Sequence, residues 1–131
     1  MYNFSKRSLE RLEGVHNDLV DVAHLALELS TIDFGVSEGI RSLKTQKLYY
    51  KKGVSQTMNS RHLTGHAIDV FAYVGKQARW EWPLYVEINK AFMKAAKILD
   101  VDVEWGGAWS TFKDGPHFQL NRLSYPANKG T

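Results

Sequence analysis

The sequence predicts an α+β fold, a small, mostly antiparallel sheet packed with helices. Two long segments, Ser5–Leu29 and Trp82–Asp100, carry apolar residues at intervals of three and four. Four short stretches alternate or run apolar as strands do. These two classes are segregated along the chain instead of alternating as βαβ units.

From Ser5 to Leu29, the residues Leu9, Leu12, Val15, Leu19, Val22, Ala26 and Leu29 fall on one face, which predicts a single amphipathic helix that Gly14 weakens without breaking. His16 and His24 lie in it with no acidic or histidine partner at i+3 or i+4, and read as surface or boundary residues. The segment "IDFGVSEGI" predicts a short strand around Phe34–Ser37 that leads to Arg41. A short helix is expected over Leu43–Lys52, stopped by Gly53, and Val54–Thr64 reads as a loop. "AIDVFA" (Ala67–Ala72) is expected as a buried strand carrying Asp69. A loop rich in Gly, Gln and Arg follows. Pro83 then stands near a helix start, with Leu84, Ile88, Ala91, Phe92, Ala95, Ile98 and Leu99 as its apolar stripe. Phe92 and Met93 are core fillers in this reading. "VDVEW" (101–105) and "HFQL" (117–120) are expected as partner strands across the loop "GGAWSTFKDGP".

At 131 residues the chain fits one domain, residues 1–131, with one modest core. The absence of cysteine excludes disulfides and thiolate metal sites, so any metal must be held by His, Asp or Glu. No apolar run approaches the roughly 18 residues of a membrane span, and the first residues lack the apolar core of a secretory signal. Cytoplasmic synthesis without membrane insertion is therefore expected. A net charge of +3 and a pI near 9.1 favour polyanions weakly. The basic residues are scattered and no recognised nucleic-acid motif organises them, so a nucleic-acid partner is not expected.

The chemistry concentrates in "SRHLTGHAID" (60–69) and "DGPHFQ" (114–119). A zinc site in a hydrolase needs three protein ligands and an open position. His62 and Asp69 can supply two ligands, because Gly65 permits a tight turn between loop and strand. His117 is the clear third candidate. Asp114 lies three residues before it, and the Gly115-Pro116 turn can direct its carboxylate toward the same space. There it would act as the general base beside a metal that lowers the pKa of water to about 7. His-x6-Asp alone is a weak signal, which "DGPHFQ" strengthens.

Three segments together carry a resemblance. "SRHLTGHAID" fits the Ser-x-His-x-x-Gly-x-Ala-x-Asp signature of the zinc peptidases typified by VanX, VanY and the D-alanyl-D-alanine carboxypeptidases. "WGGAWSTFKDGPHFQL" resembles the second signature of their phage endolysin branch, the L-alanyl-D-glutamate peptidases, and "EGIRSLKTQ" (38–46) resembles that branch's Gly-x-Arg-Thr/Ser-x-x-x-Gln segment. The resemblance implies the D-Ala-D-Ala carboxypeptidase/Hedgehog-type zinc peptidase fold. It implies Zn²⁺ on His62, Asp69 and His117, Asp114 as base, and Arg41 as the group that stabilises the developing oxyanion. The alternative for Arg41 is a structural ion pair. Ser60 is expected to position its neighbours or bind substrate, and not to act as a nucleophile. Trp109 reads equally as a cleft wall or a core residue, Trp105 as core, and His66 falls on a variable position outside the ligand set. Ala108 and Gln119 depart from common branch residues, polar or acidic at the first and Glu at the second, which suggests a difference on the substrate-reading side of the cleft.

The function implied is a zinc endopeptidase that cuts peptidoglycan stems between L-alanine and D-glutamate. It would be a monomeric endolysin without a separate wall-binding domain, made in the host cytoplasm and reaching the wall after a holin opens the membrane. The rivals are a D,D-carboxypeptidase or D,D-dipeptidase with the same metal chemistry, and a wall-binding module without turnover.

Overall fold

In the computed structural model, which describes residues 2–55, 57–111 and 113–126, the helix expected over Ser5–Leu29 is two helices, α1 (Lys6–Arg11) and α2 (Asn17–Leu29). Gly14 takes φ +83°, a left-handed conformation open to glycine at little cost. His16 then caps α2, its Nδ1 accepting the Asp18 amide at 3.0 Å. Leu12, Val15, Leu19, Val22 and Ala26 are buried as the period requires, whereas Leu9 and Leu29 at the ends are exposed. Ser8 takes the inward place on α1, where its Oγ accepts the Val36 amide at 3.0 Å.

The sheet contains β1 (Phe34–Glu38), β2 (Ala67–Val74), β3 (Gln77–Arg79), β4 (Val103–Trp105) and β5 (His117–Leu120), all antiparallel, in the order β1-β2-β5-β4. Strand β2 is central. One edge pairs with β1; the other is shared between β5, opposite Ala67–Asp69, and β3, opposite Ala72–Val74. Strand β3 corrects the expectation of a loop after β2. Gly75 and Lys76 have φ of 59° and 65°, and two central residues with positive φ make the hairpin turn whose twist matches its strands. All three β3 residues are exposed, so they show no alternation from which a strand could be read.

Helix α3 (Leu43–Lys51) begins where Ser42 Oγ accepts the Thr45 amide at 3.1 Å and ends ahead of Gly53, at φ +77°. Helix α4 (Trp82–Leu99) carries Pro83 in its first turn, as expected. Its inward face is Tyr85, Ile88, Ala91, Phe92, Ala95 and Ala96; Ile98 and Leu99, expected in the stripe, are exposed in the last turn.

Helices α2 and α4 pack on one another and share a core with the sheet: Leu19, Val22, Ile88 and Phe92 belong to one buried cluster with Phe34, Ile68, Val70, Phe118 and Leu120. The Phe92 and Phe118 rings stack with centroids 3.9 Å apart. Each such side chain contributes about 1.5–3 kcal/mol when fully buried. Successive side chains on a strand point to opposite faces. With Ile68, Val70, Phe118 and Leu120 committed to the core, Asp69, His117 and Gln119 fall on the other face. Among the described residues, no helix is long and apolar enough to cross a membrane.

Candidate active site

Asp69 and His117 are Cα partners across β2 and β5, so the sheet register sets these two groups side by side. His62 arrives from a 3₁₀ turn over Arg61–Thr64, in which Ser60 Oγ accepts the His62 amide at 3.2 Å. Ser60 therefore holds the turn that carries His62. Gly65 ends it with φ +74°, and a Cβ there would lie 2.5 Å from the Gly14 carbonyl oxygen. Conformation and space both require glycine at that position. The Arg41 amide donates to the His62 carbonyl at 2.9 Å, fastening the turn to the segment after β1.

Each imidazole has one nitrogen held by an outer acceptor and one facing Asp69. His62 Nδ1 lies 2.8 Å from Gly39 O, and His117 Nε2 lies 2.8 Å from Gln119 Oε1. The inward atoms are His62 Nε2, 3.3 Å from Asp69 Oδ1, and His117 Nδ1, 3.1 Å from the same oxygen. His62 Nε2 is buried and makes no hydrogen bond of good geometry. A buried polar atom in that state is costly unless something else satisfies it. One donor atom from each of His62, Asp69 and His117 lies within 4.8 Å of the others. Two imidazoles and a carboxylate converging on one point fit a divalent cation of zinc type, which accepts both nitrogen and oxygen.

The electrostatics agree with this geometry. Burial alone would raise the Asp69 pKa, but the hydrogen bond to His117 and the proximity of both imidazoles overcome it and hold the carboxyl well below its ordinary range. For His117, burial disfavours the charged ring, and the hydrogen bond and charge of Asp69 outweigh it, so its pKa is raised.

Asp114 stands on the loop before β5, half-buried. Its amide donates to Gly106 O at 3.0 Å and its carbonyl accepts the His117 amide at 3.2 Å. Trp105 Nε1 donates to Gly115 O at 2.7 Å, pinning the same loop from β4. The Asp114 pKa is raised, first by burial and then by the negative charge of Asp69, against the opposing pull of His117, His62 and Arg41. A Cβ on Gly106 would meet Asp114 O at 2.5 Å and the Cβ atoms of Asp114 and His117 at 3.1 Å. Gly106→Ala is therefore expected to lower stability by about 1–3 kcal/mol in denaturant unfolding of the metal-free protein and to depress hydrolysis further by displacing Asp114. An unchanged unfolding midpoint would show that the loop accommodates the methyl group.

Arg41 is fixed from several sides. Its Nε donates to Glu38 Oε1 at 3.1 Å, Nη2 pairs with the same oxygen, and Nη1 donates to Gln46 Oε1 at 2.6 Å. The guanidinium lies 4.8 Å from the Tyr49 ring centroid, and Nη2 is 3.9 Å from Asp69 Oδ2. The structural ion pair and the place beside the site are thus both present. Gln46 is buried and donates to Ser55 Oγ at 2.8 Å, tying Arg41 to the loop after α3. Trp109 is half-buried, with its ring centroid 5.2 Å from that of His117; Trp105 is partly buried against the core. An open cleft of ≈ 1150 Å³ is lined by His62, Asp69, His117, Asp114, Arg41 and Trp109, with Ser60 and Gln119 also on its wall.

All seven residues singled out in the sequence, Arg41, Ser60, His62, Asp69, Trp109, Asp114 and His117, meet at this cleft. His16 and His66 lie together elsewhere, with ring centroids 5.6 Å apart, and His24 packs on Phe4. The sequence reading did not single out Glu38, Tyr49 or the Gly39 carbonyl as supports of the site. "EGIRSLKTQ" contained Glu38, Gly39 and Gln46, but only their folded positions connect them with Arg41 and His62.

The family model for phage L-alanyl-D-glutamate peptidases matches residues 1–121. The L-alanyl-D-glutamate peptidase of Escherichia phage T5 is 32% identical over 128 residues, covering 95% of this chain and 93% of that protein. The crystal structure of the Serratia marcescens L-Ala D-Glu endopeptidase ChiX superimposes with a TM-score of 0.91 at 51% identity, covering 95% of each chain. The vancomycin-resistance D,D-dipeptidase VanXYg shares the fold at TM-score 0.55 and 21% identity, over 86% of this chain and 51% of that one. The match to the family model spans the helices, the sheet and every cleft residue named above, and on that extent the chain belongs to the phage L-alanyl-D-glutamate peptidase family.

Proposed function

We propose that this chain is a zinc endopeptidase that hydrolyses the L-alanyl-D-glutamate bond of peptidoglycan stem peptides, with residues 1–131 acting as one catalytic domain. The observation that carries the reading is the convergence of His62, Asp69 and His117 donor atoms within 4.8 Å, in a cleft shared with Asp114 and Arg41. His62 Nε2, an Asp69 carboxylate oxygen and His117 Nδ1 would hold the metal. Zinc, when bound, supplies Lewis acidity that acidifies water and polarises the scissile carbonyl.

The remaining work belongs to the chain. The Asp114 carboxylate takes the proton of the attacking water and returns it to the leaving amine of D-glutamate. With its pKa raised by burial and by Asp69, the ionised carboxylate takes a proton from water more readily than an ordinary carboxylate would, and the acid it becomes still gives that proton up to the far more basic leaving amine. The Arg41 guanidinium, held in advance by Glu38, Gln46 and Tyr49, faces the negative charge that develops on the carbonyl oxygen and needs no reorganisation to do so. Ser60 acts through the turn that carries His62, and Trp109 walls the cleft beside His117. The net positive charge suits an anionic wall polymer. The same reading makes the protein a monomeric endolysin that reaches the wall from the host cytoplasm once a holin has opened the membrane.

Mass spectrometry of Gram-negative murein digested with the protein is expected to show new peptides with N-terminal D-glutamate. These should disappear with a chelator and return with zinc. Release of free D-alanine alone would move the function to a D,D-carboxypeptidase, and intact murein after treatment with folded, metal-loaded protein would leave a wall-binding module.

A further inference from the structure

The resemblance to the phage branch placed Gln119 on the side of the cleft that reads substrate; the structure gives it a different partner. Gln119 is two residues after His117 on β5, on the same face of the strand, and is buried at 7% exposure. Its Oε1 lies 2.8 Å from His117 Nε2, on the far side of the ring from Asp69. An imidazole that gives one nitrogen to a metal carries its proton on the other, and a buried N–H needs an acceptor. For His62 that acceptor is the Gly39 carbonyl, 2.8 Å from Nδ1. Glu104, the cross-strand neighbour of Gln119, is already engaged by Asn121 Nδ2 at 2.7 Å.

Resting on the metal reading above, we propose that Gln119 is the positioning residue of His117: its side-chain oxygen accepts the Nε2 proton and holds the ring with the Nδ1 lone pair aimed at the metal. A carboxylate in the same place would meet the same need. The amide does so without adding a further negative charge to a cleft that already holds Asp69, Asp114, Glu38 and Glu104. This accounts for a glutamine at the position without invoking a change of substrate.

The test compares wild type, Gln119→Met and Gln119→Glu by chelator competition for zinc and by the imidazole N–H proton resonance of His117 in the zinc-loaded proteins. Gln119→Met, similar in size and without a strong acceptor, is expected to weaken zinc binding by about 10–100-fold and to lose the slowly exchanging N–H resonance. Gln119→Glu is expected to restore both. A methionine variant that binds zinc within about twofold of wild type overturns the proposal, since such a change is far below the usual effect of removing this kind of support. If that variant fails to fold, the wild type still decides: an His117 N–H exchanging as fast as that of a free imidazole excludes the hydrogen bond. Wild-type protein that binds no zinc removes the metal reading as a whole, and that failure appears before any substitution is made.

Discussion

Asp114→Asn is expected to keep zinc within a few-fold of wild-type affinity and to lose turnover by about 10²–10⁴-fold, the usual contribution of a positioned acid–base group. The amide preserves the shape of the side chain and leaves untouched the backbone bonds from Asp114 to Gly106 and His117. It cannot take a proton from water. The same substitution is expected to stabilise the metal-free protein at neutral pH, because the wild-type carboxylate is disfavoured by burial and by Asp69. The sign follows from linkage: a carboxyl whose folded pKa is raised binds its proton more tightly in the folded state, so its ionisation costs stability as pH rises. The advantage of the variant should therefore be present at neutral pH and disappear on acidification, once Asp114 is protonated in both states. Steady-state hydrolysis, zinc competition and thermal melts at two pH values measure all three effects. Near-wild-type turnover in the fully metalated variant would remove Asp114 as the base.

His117→Ala is expected to lose metal binding and stability together. His117 is 6% exposed, and its ring sits between Asp69 and Gln119, with Trp109 beside it. Its removal leaves the Asp69 carboxylate without its strongest hydrogen-bond partner, and breaking a buried charged pair in this way costs about 3–5 kcal/mol. The Asp69 pKa is depressed in the fold, so the stability it contributes is present above the ordinary carboxylate range and is lost as pH falls through the folded value. In the alanine variant that acid-sensitive part should shrink. Wild type should melt at higher temperature when zinc is added, because a ligand that binds the folded state stabilises it, whereas the variant should show no such rise. A variant that takes up a full equivalent of zinc and melts like wild type would overturn the place of His117 in the ligand set.

Much of the site was legible because its chemistry is carried by few residue types at short spacing. With no cysteine, metal ligation was restricted to His, Asp and Glu, and "SRHLTGHAID" and "DGPHFQ" supplied both histidines and both carboxylates. The helix-breaking action of Gly14 was not legible, because the turn at φ +83° is held by contacts remote in sequence: the Gly14 carbonyl lies against Gly65, and the His16 amide donates to the Gly65 carbonyl at 2.8 Å. Strand β3 escaped for a related reason: a hairpin of three exposed residues takes its pairing from β2 and not from a pattern of its own.

By itself the sequence determined the fold class and pointed to the candidate ligands and the candidate base, since these depend on side-chain type and on periods of two and of three to four residues. Only the tertiary structure decided which nitrogen of each histidine faces Asp69, that Gly106 makes room for Asp114, that Glu38, Gln46 and Tyr49 hold Arg41, and that Gln119 belongs to His117. Each of these is a contact whose geometry depends on strand register, chain packing or the backbone's path through a turn. Residue type and spacing alone do not specify these relations.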